Sequence, residues 1–205
     1  MPKVTEAHVA ERRKQILAAA QDVFSTKGFE PATMQDIVKI SGMSRGGVYQ
    51  YFGSTEAMMR ALLEQNTKEF SDYVQSLIQK NGIIWDSLVE YLNSVSKEAN
   101  TPFSIAVYEY FVSGWHNEER KAYLAKRYLN GQSVFLQLFK EGVRRGEFFP
   151  CQPLEVITRF FINVTDGIAL EASLLNHQLI DTSNQIDSLK LYLKTALGID
   201  KMNVE

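Results

Sequence analysis

The 205-residue chain has one cysteine and three histidines. A single thiol, Cys151, makes no internal disulfide, so this fold depends on packing and suits a reducing compartment. An inert, exposed thiol is the expectation for Cys151, ahead of a redox sensor. His8, His116 and His177 lie far apart, and no His-x-x-x-His, Cys-x-x-Cys or Glu-x-x-His spacing offers a metal site. A phosphate loop, a dinucleotide fingerprint and a Gly-x-Ser-x-Gly elbow are also missing. Asp166 and Glu171 stand five apart on an apolar helical pattern, so they form no carboxylate pair on one face. These absences argue against an enzyme and against a bound metal or cofactor. Long hydrophobic runs are lacking too. The most apolar stretch, 156–175, is broken by Arg159, Asn163, Asp166 and Glu171, which excludes an ordinary membrane span. The opening residues, MPKVTEAHVAERRKQ, hold no apolar run of signal-peptide length. The expectation is a soluble, cytoplasmic protein.

Net charge is small as well, −2 overall. Its distribution says more than its total. Residues 1–60 carry eight Lys/Arg against six Asp/Glu, and the remainder carries 14 against 18. A mildly basic head on an acidic body suits DNA contact at one end only.

What the chain does have is helical periodicity, and no segment alternates like a strand. A first helix is expected over 9–26, with Ile16, Ala19, Ala20, Val23 and Phe24 on one face and Gly28 as its cap. Thr33 can cap a short second helix, with Asp36 completing a capping-box pair and Ile37 and Ile40 as its apolar face. Ser44 can cap a third helix through Phe52. A long helix follows over 55–79, then others over 83–99, 103–116, 118–145, 154–176 and 184–197. Breaks fall at Asn81-Gly82, at Asn100-Thr101-Pro102 and in the loop GEFFPCQP. The reading is an all-α protein of about nine helices, with a domain boundary close to the start of the fourth.

The segment TMQDIVKISGMSRGGVYQYF, residues 33–52, carries the functional signal. Two short helices joined by a tight Gly-containing turn make a helix-turn-helix unit. Val48 and Phe52 stand at i and i+4 and can pack on Ile37 and Ile40. Arg45, Gly46, Tyr49 and Gln50 are then left on the outer face, where a helix can enter a major groove. Glycines within a helix cost about 1 kcal/mol each relative to alanine. Two readings of Gly46-Gly47 stand: close backbone approach to a DNA strand, or tolerance in a short helix held by its surroundings. Ser44 and Thr33 can cap their helices and also hydrogen-bond phosphate.

The run RRKQILAAAQDVFSTKGFEPATMQDIVKISGMSRGGVYQYFGSTEAMM, residues 12–59, resembles the DNA-binding domain of the TetR family of bacterial transcription regulators. Its markers are Phe24, Gly28, Thr33, Ile37, Gly42, Ser44, Tyr49, Tyr51 and Phe52. The run EGVRRGEFFP…DGIALEASLL resembles the family's dimerisation part. The resemblance implies a helix-turn-helix domain over 1–54 and a helical effector-binding and dimerisation domain over 55–205. It implies a DNA surface of Thr33, Ser44, Arg45, Gly46, Tyr49, Gln50 and Tyr51, the two tyrosines on phosphates and Arg45 and Gln50 on bases. Family members often carry lysines where this chain has Gly53 and Thr55, which should flatten the salt dependence of binding. Gly47 also lacks a side chain that could read bases.

The 154–176 helix is apolar nearly all round, so it must be buried on two sides. Residues 184–197 add Ile186, Leu189, Leu193 and Leu197 on one stripe, with Leu191 and Tyr192 off it. One face can pack inward and the other on a symmetry mate. The resemblance implies a four-helix homodimer interface of this kind, which would bring two recognition helices to a palindromic operator. The middle helices are rich in aromatics, which at helical spacing read first as core. Together with the resemblance they point to a pocket for a small, largely apolar effector, with Phe111, Trp115 and Phe139 as candidates. Repression is the family's usual mode; the residues do not distinguish it from activation. A helical interaction protein whose head binds protein rather than DNA stays open at this point.

Overall fold

The computed structural model describes residues 6–79, 82–98, 101–175 and 177–199. Among them are ten helices and no strand: α1 (Glu6–Lys27), α2 (Met34–Ser41), α3 (Arg45–Tyr49), α4 (Thr55–Gln79), α5 (Ile84–Glu98), α6 (Pro102–Ser113), α7 (Glu118–Arg144), α8 (Leu154–Leu174), α9 (His177–Ile180) and α10 (Thr182–Leu197). The fold is all-α, as the periodicity requires. The helix beyond the expected nine is α9, four residues long, too short to leave a periodic signal. Asn81, Ala99, Asn100, Asn176 and the side chain of His177 lie outside the described residues.

The described residues form two compact units. The first holds residues up to 67 together with 101–117, so it contains α1, α2, α3, the first part of α4, and α6. The sequence reading places α6 with the body; its tie to α1 and α4 comes from Glu109 and Tyr110, whose partners are remote in sequence. In this unit α1 ends where Gly28 takes φ +88°, a conformation that favours glycine, and its N–H donates to the Phe24 carbonyl at 2.9 Å. Ile16, Ala20, Phe24, Phe29, Ile37, Val48, Phe52 and Tyr110 are buried. Ile40, expected on the same apolar face as Ile37, is instead 56% exposed. The narrow face that so short a helix buries runs from Ile37 to Ser41, four residues on, and Ile40 falls to the side of it.

The second unit holds the rest of α4 with α5, α7, α8, α9 and α10. Its core is an aromatic cluster around Phe161 of α8, which is fully buried. Phe135 meets that ring edge-on at 4.7 Å and Phe139 at 5.7 Å. Polar ties close the ends of these helices. Arg145 donates to the carbonyls of Ile78 at 2.6 Å and Gly82 at 2.9 Å. Glu147 accepts the Ile84 N–H at 2.6 Å, capping α5 from across the unit. On α8 the buried side is Ile157, Phe161, Ile162, Thr165 and Ile168, while Val156, Phe160 and Leu174 are exposed. On α10 the stripe Ile186, Leu189, Leu193 and Leu197 is buried, and Leu191 is 66% exposed.

Phe161→Ala removes the ring on which the cluster converges and should cost about 3–5 kcal/mol. Denaturant unfolding followed by circular dichroism measures it; a loss under about 1 kcal/mol would show that the cluster does not organise this core.

Candidate nucleic-acid interface

Helix α3 has only five residues, too few to be stable alone. Its inner side is anchored by Val48, which is fully buried, and by the buried Phe52 just beyond it. Ser44 is its N-cap and accepts the Gly47 N–H at 3.1 Å, while its own hydroxyl proton can still be donated outward. At the other end the chain turns, and the Phe52 N–H bonds to the Val48 carbonyl at 3.1 Å. Expected through Phe52, the helix stops at Tyr49, and the following three residues are turn and coil that aim Phe52 inward.

The outer side presents Arg45, Gly46, Tyr49 and Gln50, all exposed. The Arg45 guanidinium lies over the Tyr49 ring at 5.3 Å from its centroid, a cation–π contact that holds both side chains on one patch. The two glycines divide. A Cβ added at Gly46 would meet nothing within 4 Å, whereas one at Gly47 would stand 3.1 Å from the Ser44 hydroxyl. Gly46 is therefore the bare point of the outer face. Gly47 faces the cap, so its missing side chain is not a lost base reader. Tyr51 is half-buried, and its carbonyl accepts a bond from Arg13 at 3.5 Å. Arg13 also covers the Phe52 ring at 4.4 Å.

Beside α3, the N-terminal half of α2 makes the other wall of a groove of about 520 Å³, lined by Thr33, Met34, Gln35, Val38, Arg45 and Tyr49. Thr33 is committed internally. Its hydroxyl donates to Asp36 at 2.7 Å and accepts the Asp36 N–H at 3.2 Å. Its own N–H donates to the same carboxylate at 3.1 Å. This is the capping box expected from the sequence. Lys27 adds an ion pair to Asp36. An anion reaching Thr33 must compete with that carboxylate.

Residues 16–62 match the family model described as "Bacterial regulatory proteins, tetR family", and residues 87–183 match "Tetracyclin repressor-like, C-terminal domain". The uncharacterized HTH-type transcriptional regulator YfiR of Bacillus subtilis is 41% identical over 203 residues, covering 98% of each chain. The chain belongs to the TetR family. It is a helix-turn-helix transcription regulator. Among solved structures, Salmonella enterica GusR superposes with a TM-score of 0.77 at 24% identity, covering 96% of this chain and 99% of its own. The SmeT–triclosan complex gives 0.72 at 14% identity, covering 90% and 91%. These two share the fold.

Within this TetR-family chain, the structure brings Thr33, Arg45 and Tyr49 to one groove and sets Ser44, Gly46 and Gln50 on the same short segment. Gln35, exposed on the α2 wall, was not among the sequence candidates. Its signal is spatial, since only the α2–α3 crossing aligns it with Arg45. The three aromatics expected at a pocket have different surroundings. Phe139 is fully buried in the core of the second unit. Phe111 is half-buried in the first unit, 5.0 Å from the Tyr110 ring. Trp115, in the first unit, is 62% exposed and stacks on His116 at 3.3 Å.

The Lys27 ammonium and then the Thr33 hydroxyl hold the Asp36 carboxyl well below its ordinary 3.8, at about 2. A carboxyl with a lowered folded-state value stabilises the fold above its unfolded value and loses that contribution as pH falls through the folded one. The α2 capping box should therefore weaken between about pH 4 and pH 2. Protection of the Asp36 and Ile37 amides, relative to their intrinsic exchange, should fall as pH drops through this range in the wild type, and Asp36→Asn should flatten the dependence. An unchanged profile in Asp36→Asn would contradict the assignment.

Proposed function

We propose that the protein is a homodimeric repressor that binds a palindromic operator and is released by a small, largely apolar effector. The observation that carries the DNA-binding half is the bare outer face of α3: an open Gly46 flanked by Arg45, Tyr49 and Gln50. Missing a side chain at Gly46, the backbone can come close to a strand, letting Arg45 and Gln50 reach base edges in the major groove. Ser44 and Tyr49 then donate to phosphates, with Tyr51 at the margin. Thr33 takes part through the α2 end if a phosphate displaces the Asp36 carboxylate. The head over 1–54 supplies these contacts, and 55–205 supplies dimerisation and effector binding, apart from α6, which packs with the head.

Support for the homodimer is the apolar row left uncovered on α8 and α10. Phe160 is 45% exposed and packs on Tyr192 at 4.4 Å, beside a groove that Val164, Gln185 and Ser188 also line. A second copy related by a two-fold axis would cover it, and two α3 helices would then meet half-sites about 34–36 Å apart or a multiple of that. The effector reading draws on the SmeT neighbour, a triclosan complex, and on the aromatic interior around Phe135, Phe139 and Phe161. Of the sequence candidates, Phe139 belongs to that interior, while Phe111 and Trp115 lie in the first unit. An effector lowers operator affinity only by binding the non-DNA state more tightly. No substrate turnover is expected, and the site of action is the cytoplasm, where the operator is.

The test uses a duplex selected by the wild-type chain from a randomised pool. Gly46→Ala should raise helix stability by up to about 1 kcal/mol yet weaken binding, because the added Cβ holds the strand away. Arg45→Ala should cost about 1–3 kcal/mol and relax selection at one base position of each half-site. Fluorescence anisotropy reads both, and a Gly46→Ala chain that binds as well as wild type would sink the α3 contact. For the dimer, Phe160→Glu with Leu191→Glu should give a helical monomer in sedimentation. A dimer that survives both would place the interface elsewhere.

A further inference from the structure

Helix α6 carries a single charged residue, Glu109, and it is directed at the turn between α1 and α2. Its carboxylate accepts the Phe29 N–H at 2.6 Å and the Glu30 N–H at 3.3 Å. Charge-assisted bonds to backbone amides are about twice as strong as neutral ones, and here two consecutive amides converge on one side chain. The turn is shaped to admit it. A Cβ at Gly28 would stand 2.5 Å from Oε2 of Glu109, and the φ of +88° there already favours glycine. Neighbouring contacts hold α6 in place. Tyr110 meets the Phe29 ring edge-on at 4.8 Å and donates its hydroxyl to Glu56 of α4 at 2.7 Å. Ser113 donates to Glu30 at 2.6 Å.

We propose that Glu109 is a positioning residue for DNA binding: by holding the Phe29 and Glu30 amides it sets the angle at which α2 leaves α1, and with it the groove between α2 and α3. The inference rests on the DNA-binding reading above. Its physical basis is the dependence of one element on the next. Helix α3 is anchored by the buried Val48 and by Phe52 just beyond its end, and α2 supplies the opposite groove wall with Met34, Gln35 and Val38. The turn from Gly28 to Ala32 is the covalent link that fixes α2, and Glu109 grips the middle of it. Glu109 touches no DNA itself; it acts through the turn.

Electrostatics and positioning predict opposite signs, which makes the test decisive. Removing an acidic side chain from a DNA-binding head strengthens its attraction for phosphate. Losing the grip on the turn weakens operator binding. The experiment uses the full-length chain, the selected operator duplex and a scrambled duplex, below the unfolding temperature. Glu109→Ala should lose about tenfold or more in operator affinity, keep or gain affinity for the scrambled duplex, and remain a dimer. Its Phe29 and Glu30 amides should exchange faster. Glu109→Gln keeps a carbonyl acceptor of the same reach and should recover part of the loss. Operator affinity at or above the wild-type value in Glu109→Ala, with those amides exchanging faster, overturns the inference alone. So do Phe29 and Glu30 amides protected as in the wild type. Should Glu109→Ala fail to fold, Glu109→Gln decides by the same two readings. A wild-type chain that selects no duplex overturns the DNA-binding reading and this inference with it.

Discussion

A five-residue helix has too few internal hydrogen bonds to repay the ordering of its backbone. It exists because one side is clamped, by Val48 and Phe52 in the core and by the Ser44 cap at its start. Clamping from a single side is what leaves the other side bare. Gly46 can be wasteful of helix stability only because tertiary contacts have already settled the backbone. The outward patch of Arg45, Gly46, Tyr49 and Gln50 depends on that division of one short segment into an anchored face and an open one.

The anchoring extends outward in layers. Helix α2 stands on its capping box, with Asp36 held ionised by Lys27 and Thr33. The turn before it is gripped by Glu109 from α6, and α6 is in turn tied to α4 through Tyr110, Glu56 and Arg60. The DNA-binding head is therefore discontinuous in sequence: a helix from beyond residue 100 belongs to its compact unit. In the second unit, Phe161 and its ring neighbours fill the interior, and the opposite sides of α8 and α10 keep an apolar row at the surface.

Much of this was legible in the residues. Periodicity and caps located the helices, since Thr33 and Ser44 act through neighbours three positions away and Gly42 through its own backbone. The same locality explains why the capping box could be read and the Glu109 bond could not: its partners are some eighty positions distant. Apolar identity does not ensure burial at Ile40, because an eight-residue helix buries only a narrow stripe. The glycine pair looked like one feature. Only the backbone separates Gly46, facing out, from Gly47, facing the cap. Phe111, Trp115 and Phe139 share chemistry but not surroundings, and sequence spacing cannot tell a core aromatic from a surface one.

On the proposed function, the bare face of α3 enters the major groove once per subunit. Guanine N7 lies in that groove, so methylation interference on the selected duplex reports on it directly. Entry of two α3 helices predicts interference at guanines in two half-sites related by a dyad and centred about one helical turn, or a whole number of turns, apart. Binding indifferent to N7 methylation, or blocked at a single site without symmetry, would contradict it.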